Sequence, residues 1–438
     1  MIYQNILLME WSIYNHLYYS TKAKSYLLYS SLSNMLIELD KEDYHAILEI
    51  RDDPDCIDPT DDKCKFLFDS RFIVESNHNE INKLMLSNLM TRFNSSILSL
   101  TIAPTRDCNF NCPYCYEENR INKKMSKEVQ TKIIDFVKNK YSTIDSLGVV
   151  WYGGEPLLAL NIVKYLSSEL QKHVKKYSAF MVTNGFLLDK LIDTIVELKI
   201  SGLQITLDGT NKTHNQTRHL KNGKGTFDKI LSNIDALLAK HQNIDISIRM
   251  NICQANSDQY VPLLYTLKER FGRKVHLYPA FVRDYGRGCV SGACFEDSVQ
   301  KARFLKSIFD EYSVYTKDIY PLRANKGCMS QKMNAFVIGT EGELYKCWHH
   351  LGVDEKIVGS IFDPNTITNY SLLSDMMIKG DGLFDNKCKS CILFPSCHGG
   401  CVDEKNRNKD YCIPAKAMLE DFIDIHYAIK TGNKLADE

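Results

Sequence analysis

The sequence ILSLTIAPTRDCNFNCPYC occupies residues 97–115 and joins an apolar, strand-like run to a loop with three cysteines. Cys108, Cys112 and Cys115 follow the spacing C-x3-C-x2-C. Three thiolates on one short loop can ligate three irons of a [4Fe–4S] cluster and leave the fourth iron open to another ligand. A structural zinc site would need a fourth protein ligand nearby, and no histidine stands at ligand spacing. The motif therefore favours an open-site iron–sulfur cluster.

Strand-like segments alternate with amphipathic helical segments from residue 97 to about residue 285. Residues 126–141 and 226–241 each place their apolar side chains on one helical face. Strands that alternate with helices predict parallel βα units. We therefore expect an α/β fold with a partial (β/α)6 barrel whose chemistry lies at the carboxyl ends of the strands. The strand candidates are Ile97–Ala103, Gly148–Tyr152, Ala179–Thr183, Leu203–Leu207, Ile244–Asn251 and Val275–Phe281.

The composition excludes several broad classes of protein. The 438 residues include 54 basic and 54 acidic side chains, and this balance argues against a protein that coats nucleic acid or an anionic membrane. Hydrophobic residues make up 44% of the chain, which is ample for a folded core. No apolar run reaches the ~20 residues of a membrane helix, and the first residues lack the features of a signal peptide. We expect a cytoplasmic protein that binds neither nucleic acid nor membranes.

The chain has 15 cysteines, and their distribution is clustered. Cysteines at short spacings in a chain without a signal peptide favour metal binding over disulfides. Zinc sites that use a histidine such as His349 or His398 are an alternative to iron–sulfur clusters at this point. The C-terminal cluster has seven members, which are Cys328, Cys347, Cys388, Cys391, Cys397, Cys401 and Cys412.

The loop at residues 108–115 resembles that of the radical S-adenosylmethionine (radical SAM) enzymes, in which an aromatic residue, here Tyr114, precedes the last cysteine. In that family the open iron binds the amino and carboxylate groups of S-adenosylmethionine (SAM). Reductive cleavage of SAM yields a 5′-deoxyadenosyl radical, which removes a hydrogen atom from the substrate. The resemblance implies [4Fe–4S] clusters and SAM as cofactors, and a reductant such as flavodoxin or ferredoxin as a partner.

Further motifs of this family follow the predicted strands in order. WYGGEPLL follows the second strand, and TNGFLL, which includes Thr183, follows the third strand. ITLDGTNKTHNQTRHL follows the fourth strand, and the fifth strand contains IRMNI with Arg249 and Asn251. Each motif taken alone has an ordinary structural explanation, such as a turn or a surface arginine. The occurrence of all of them in this order at the ends of successive strands favours the family. By resemblance, Glu155 accepts a hydrogen bond from the SAM ammonium group and Arg218 contacts the SAM carboxylate. The implied SAM-binding residues are Tyr114, Gly153, Gly154, Glu155, Asn184, Thr206 and Arg218.

The C-terminal cysteines resemble the SPASM domain, an extension of many radical enzymes that modify peptides and proteins. That domain holds two auxiliary [4Fe–4S] clusters, and all seven positions of its motif are present. Asn334 occupies the position of an eighth cysteine found in some relatives. Cys289 or Cys294 could supply the missing fourth ligand of the first auxiliary cluster, or that site could be open. The resemblance assigns Cys328, Cys347 and Cys401 to the first auxiliary cluster, and Cys388, Cys391, Cys397 and Cys412 to the second.

Residues before the barrel predict a small α+β domain of winged-helix type. Tyr26–Tyr29 and Met35–Leu39 have strand patterns, and Asp40 is placed to cap a helix that begins after it. Such a domain could bind a leader peptide as an added strand. The predicted domains are a winged-helix-like leader-recognition domain at 1–95, the radical SAM barrel at 96–285, a bridging region at 286–327 and a SPASM domain at 328–438.

Three functions are compatible with these motifs. A maturase that installs a cross-link or another oxidative modification in a ribosomally made peptide is favoured, because 107 residues precede Cys108. Its partner would be a precursor peptide with a leader. An anaerobic sulfatase-maturing enzyme, which oxidises Cys or Ser to formylglycine, is the alternative, although Asp318 is a poor match to the aspartate which that group uses. A non-enzymatic iron–sulfur electron carrier is the minor alternative, and the presence of Glu155, Thr206 and Arg218 disfavours it.

Overall fold

The computed structural model of the chain describes residues 9–58, 60–115, 123–283, 294–323, 327–363, 365–407 and 409–432. These residues form two compact units. The first unit comprises Met1–Arg92, Asp297–Cys328 and Ile378–Glu438, and the second comprises Phe93–Glu296 and Met329–Met377. The region after residue 296 therefore contributes to both units. No helix in the described ranges combines the length and apolar character needed to cross a bilayer.

Strands and helices alternate through much of the described chain. In chain order the strands are β1 Glu10–Trp11, β2 Asn15–Ser20, β3 Ser25–Ser30, β4 Met35–Leu39, β5 Ile73–Val74, β6 Ile97–Ile102, β7 Ser146–Trp151, β8 Lys176–Thr183, β9 Ile200–Thr206, β10 Asp245–Ile252, β11 Val275–Phe281, β12 Ala335–Ile338, β13 Glu343–Tyr345 and β14 Gly359–Ser360. The α-helices are α1 Lys41–Asp52, α2 Asp62–Asp69, α3 Asn77–Arg92, α4 Lys127–Asp135, α5 Leu160–Leu170, α6 Asn211–Thr217, α7 Phe227–Lys240, α8 Tyr260–Phe271, α9 Ser298–Tyr312, α10 Tyr370–Ser374, α11 Asn386–Lys389, α12 Phe394–Cys397, α13 Val402–Asn406 and α14 Leu419–Lys430.

The first unit contains an antiparallel sheet with the strand order β2-β3-β4. Strands β3 and β4 match the two strands predicted from the sequence, whereas β2 was not predicted. The Asp40 side chain accepts a hydrogen bond from the Asp43 backbone at 2.8 Å and so caps α1 as predicted. One face of the sheet packs on α1 and α2 through a shared apolar core that includes Leu28, Ile47 and Leu67.

The second unit is built on a sheet with the order β11-β10-β9-β8-β7-β6-β12-β13-β14. Strands β6 to β11 are adjacent in chain order and parallel. They overlap the six predicted strands, and the sheet is the expected core of a partial (β/α)6 barrel. Strand β12 extends the sheet by pairing in parallel with β6, a pairing that the sequence did not indicate.

The helices that cover the parallel strands follow the predicted amphipathic pattern. In α7 the side chains of Phe227, Ile230, Ile234 and Leu238 are all buried. Helix α4 ends at Asp135 and continues as a wider, π-type turn through residues 136–140, so the predicted single helix is divided. Strands β12 and β13 pair antiparallel as a hairpin.

Candidate active site

The three loop cysteines lie beyond the carboxyl end of β6 and line one cavity of about 380 Å³ in the second unit. The parallel order of β6 to β9 brings the ends of these strands to one edge of the sheet. Six of the seven residues predicted to bind SAM line this same cavity with the thiols. They are Tyr114, Gly153, Gly154, Asn184, Thr206 and Arg218.

The two glycines after β7 support the segment that leads into the cysteine loop. Gly154 N donates to Thr105 O at 3.2 Å, and Glu155 N donates to Asp107 O at 2.9 Å. A Cβ on Gly154 would lie 2.3 Å from Asp107 O. Gly153 has a φ of +107°, and a Cβ there would lie 2.4 Å from Thr105 O. The backbone that leads into the cysteine loop therefore requires glycine at both positions. The sequence did not indicate that this backbone would lie against the two glycines.

Glu155 is the predicted SAM contact whose side chain the structure does not bring to the cavity. Its carboxylate is completely buried. Oε1 accepts hydrogen bonds from Leu157 N at 3.0 Å and from the Thr183 hydroxyl at 2.8 Å. Oε2 accepts one from Asn184 N at 2.7 Å. Burial raises the pKa of Glu155, while these donors oppose the rise. The carboxylate therefore fixes the loop that carries Asn184.

Tyr114 links the cysteine loop to the ends of β9 and β10. Its hydroxyl donates to Asp208 and accepts from Arg218 Nη1 at 2.7 Å and from Asn251 Nδ2 at 3.3 Å. Arg218 lies 4.0 Å from the Asp208 carboxylate and 5.6 Å from the Phe110 ring centre. The Nε of Arg218 is buried and has no hydrogen-bond partner among the described residues. A guanidinium with spare donors beside a cavity suits the carboxylate of SAM.

The thiol of Cys108 is held in a poorly solvated position. Phe110 N lies 3.5 Å and Asn184 Nδ2 lies 3.8 Å from its sulfur. Burial, followed by the charge of Glu155, raises the pKa of this thiol to about 12. Iron is bound by the thiolate, so bound metal would supply the positive charge that stabilises the ionised form here. The three thiols on one loop thus fit an iron–sulfur cluster.

Other cavity residues come from segments that the sequence did not connect with the site. Trp348 and His349 follow β13 and line the cavity. The Trp348 indole donates to Thr101 Oγ1 at 2.9 Å, and its ring centre lies 4.8 Å from that of Tyr152. The pairing of β12 with β6 explains this position, because it places the β12–β13 hairpin beside the cysteine loop. No local sequence signal could have indicated that pairing.

Four cysteines of the first unit line a second, smaller cavity of about 80 Å³. They are Cys388, Cys391, Cys397 and Cys412, which the resemblance assigns to one auxiliary cluster. Apolar side chains complete the wall, among them Leu393 and Phe394. Lys416 Nζ lies 3.5 Å from the Cys412 sulfur. Burial raises the pKa of Cys397 to about 11. The four thiols line one cavity, so a cluster bound by all four would lie there.

The remaining cysteines predicted to bind iron are divided between the units. Cys328 and Cys401 belong to the first unit, whereas Cys347 belongs to the second. Cys294 is buried and disulfide-bonded, so its sulfur is not a free thiolate in this form. Cys289 lies outside the described residues. In the described ranges, no three His, Cys, Asp or Glu side chains are close enough to hold a single metal ion. The ligands of the clusters stay predictions.

Comparisons with known proteins agree with this fold and cavity. The model of the Radical SAM superfamily matches residues 102–261. The cysteine-type anaerobic sulfatase-maturating enzyme of Clostridium novyi is 24% identical over 378 residues, which cover 76% of this chain and 98% of that protein. The serine-type enzyme of Klebsiella pneumoniae is 23% identical, over 71% of this chain and 82% of that protein.

Among solved structures, the chain resembles anSMEcpe with bound AdoMet and the Cp18Cys peptide. That likeness has a TM-score of 0.59 and 21% identity, and it covers 78% of this chain and 100% of the other. Streptococcus suis SuiB bound to the precursor peptide SuiA gives a TM-score of 0.50 at 14% identity, over 93% of this chain and 98% of that one. The superfamily match begins at the end of β6 and includes the loop whose three thiols share a cavity with the predicted SAM-binding residues. The chain is therefore a radical SAM enzyme.

Proposed function

We propose that this enzyme is a maturase that installs a cross-link or another oxidative modification in a ribosomally made precursor peptide. The observation that carries the proposal is the segment before the barrel, because 107 residues precede Cys108 and the part described before residue 93 forms strands β1 to β5 and helices α1 to α3. The structure of SuiB with its precursor peptide matches 93% of this chain, whereas anSMEcpe matches 78%. The longer likeness supports a precursor peptide as the substrate.

The first unit offers an edge at which a leader could bind. Strand β4, Met35–Leu39, is an edge strand of the sheet β2-β3-β4. An edge strand presents backbone groups that can pair with an extended peptide. Helix α14 contacts both edge strands through side chains, since the Tyr18 hydroxyl of β2 donates to Asp424 at 2.7 Å and the Tyr427 hydroxyl donates to Glu38 of β4 at 2.5 Å. We assign the leader to the backbone edge of β4, within the proposed recognition domain at residues 1–95.

In the cavity of the second unit, SAM and its cluster, when bound, supply a 5′-deoxyadenosyl radical. Arg218 and Thr206 would hold SAM, and Tyr114 would keep Arg218 in position through its hydroxyl. Buried side chains such as Tyr152 and the packed Trp348 limit the access of water to the radical. The residues of this chain thus bind, orient and shield, and the hydrogen atom is taken from the peptide.

The four-thiol cavity of the first unit would hold an auxiliary cluster that accepts the surplus electron of the product radical. Cations and hydrogen bonds near cluster sulfurs raise the reduction potential. Lys416, placed 3.5 Å from the Cys412 sulfur, provides both at this cavity. This arrangement supports an oxidative modification, in which the substrate gives up two electrons in total.

Anaerobic sulfatase maturation is the second candidate function. The relatives from Clostridium novyi and Klebsiella pneumoniae are named for it, and they support it over 76% and 71% of this chain. That reaction requires a base for the Cys or Ser of the sulfatase. Asp318 is the aspartate weighed for this role, and it lies in the first unit, where burial raises its pKa.

Mass spectrometry separates the two functions. The full-length enzyme with SAM and a reductant is incubated with a precursor peptide encoded beside the gene, and separately with a Cys- or Ser-containing sulfatase peptide. We expect the precursor to lose two hydrogens and excess free leader to inhibit this change by competition for β4. Formylglycine in the sulfatase peptide, with an unchanged precursor, would instead establish the second candidate.

A further inference from the structure

An arginine on the inner side of β10 lines the cavity. Ser247, Arg249 and Asn251 alternate with Ile248 and Met250, which are completely buried. Side chains alternate across a strand, so the half-buried Arg249 projects from the opposite side to those two residues. Arg249 and Asn251 line the cavity that contains the three loop thiols.

The position of Arg249 is fixed by its neighbours. Its Nε donates to Asn251 Oδ1 at 2.9 Å. Asn251 is itself held, because its backbone N donates to Asp208 at 3.1 Å and its Nδ2 to Tyr114 at 3.3 Å. Among the described residues this is the one hydrogen bond of the Arg249 side chain, and the arginine takes part in no ion pair there. Its two terminal amino groups remain available to a ligand.

The carboxylates near Arg249 are already engaged. Asp208 bonds to Tyr114 and Asn251 and lies 4.0 Å from Arg218. Glu155 is completely buried and accepts three hydrogen bonds. No Asp or Glu side chain of the described residues lines the cavity. A guanidinium partly removed from water is best stabilised by a carboxylate, which can accept two parallel hydrogen bonds from it.

The carboxylate of SAM already has a candidate partner in Arg218, which contacts the cysteine loop through Tyr114. Arg249 lies on β10, where it is in register with Thr206 on β9 and with Tyr278 on β11. We propose that Arg249 binds a carboxylate of the peptide substrate, so that the segment entering the cavity is acidic. This inference rests on the proposed action on peptides. An Asp or Glu side chain and the carboxyl terminus of a peptide share this chemistry.

A binding selection tests the proposal. Immobilised full-length holoenzyme with SAM is offered a pool of short random-sequence peptides, prepared once with free and once with amidated carboxyl termini. Mass spectrometry compares bound with input peptides. We expect roughly tenfold or greater enrichment of peptides with a carboxylate. Enrichment of Asp and Glu in the amidated pool would show that Arg249 binds an acidic side chain. Enrichment restricted to the free-acid pool would show that it binds the carboxyl terminus of the peptide.

Variants decide whether Arg249 is responsible. Arg249→Gln should lose the enrichment of carboxylate peptides, and Arg249→Glu should favour basic peptides. Arg249→Lys should keep part of the preference for carboxylates, and that retained binding would show that substitution at this position does not unfold the protein. Arg270→Gln removes a positive charge from an exposed pair with Asp235 on the helices and serves as the charge control. Equal enrichment by the wild type and Arg249→Gln, or no enrichment by the wild type, would overturn the proposal.

A fall in SAM affinity in Arg249→Gln, measured by equilibrium dialysis, would also overturn it, because SAM would then be the ligand. Modification of the precursor is measured separately by mass spectrometry. A modified precursor without carboxylate-dependent binding would refute only the role of Arg249. An unmodified precursor would refute the proposed function.

Discussion

The two cysteine-lined cavities differ in thiol number, size and wall chemistry. The cavity of the second unit has three thiols, a volume of about 380 Å³ and four arginines in its wall. The cavity of the first unit has four thiols, a volume of about 80 Å³ and two lysines in its wall. Four thiols can occupy all four irons of a cluster, whereas three leave one iron for a small-molecule ligand. From this difference we propose that substrate chemistry belongs to the larger cavity and electron transfer to the smaller one.

The largest expected effect comes from removing the thiols of either cavity. Replacing Cys108, Cys112 and Cys115 by Ala should abolish formation of 5′-deoxyadenosine and remove about a third of roughly twelve irons, if three [4Fe–4S] clusters are bound. Replacing Cys388, Cys391, Cys397 and Cys412 by Ala should leave cleavage of SAM in place. Chromatography of the nucleoside and an iron assay after anaerobic reconstitution measure both quantities. SAM cleavage by the loop variant would contradict the comparison.

A single methyl group should disturb the larger cavity. Gly154→Ala would place a Cβ 2.3 Å from Asp107 O and displace the segment that leads into the cysteine loop. We expect loss of the iron bound by that loop. Gly148→Ala is the matched control on β7, since nothing lies within 4 Å of its Cβ. Iron content and the melting temperature of both variants provide the test, and an equal outcome for the two would refute the role of Gly154.

Arg218→Gln should weaken SAM binding roughly tenfold or more, because a charge-assisted hydrogen bond is lost. The change also removes the stronger of the two arginine charges that act on the buried Asp208 carboxylate, which costs stability. The double variant Arg218→Gln/Asp208→Asn should recover stability but not SAM affinity. Equilibrium dialysis and thermal unfolding separate the two effects. Normal SAM affinity in either variant would exclude Arg218 from the SAM site.

Glu155→Gln should have the smallest effect of the four. The amide keeps an acceptor for Leu157 N and the Thr183 hydroxyl but turns a donor toward Asn184 N. An unsatisfied buried group costs about 1–3 kcal/mol of unfolding free energy. We expect lower stability with a modest change in SAM affinity. A loss of SAM affinity as large as that of Arg218→Gln, at unchanged stability, would restore direct contact between this carboxylate and SAM.

Local patterns in the sequence predicted a large part of the fold. The alternation of strands and helices gave β6 to β11, because buried parallel strands and amphipathic helices leave strong periodic signals. Strand β2 was missed, since its first residues, Asn15 and His16, are polar. No local pattern indicated the pairing of β12 with β6, and the cavity position of Trp348 could not be predicted without that pairing.

The residues of the candidate site were predicted from cysteine spacing and family resemblance, but the contacts that orient their side chains were not. Six of the seven predicted SAM-binding residues line the cavity. Glu155 differs because its motif fixes the residue type but not the direction of the carboxylate. That direction is set by donors from its own segment, at Leu157, and from the end of β8, at Thr183 and Asn184. The division of the C-terminal region between two units was equally invisible, because unit membership depends on packing between distant segments.

Electron paramagnetic resonance of the reduced protein, with and without SAM, tests most directly which cavity holds the open cluster. One variant keeps Cys108, Cys112 and Cys115 and lacks the four cysteines of the smaller cavity, and the other has the reverse arrangement. We predict that SAM shifts the signal only in the first variant, since of the two cavities only the three-thiol one leaves an iron open. A SAM-dependent shift in the variant without the loop cysteines would contradict this account.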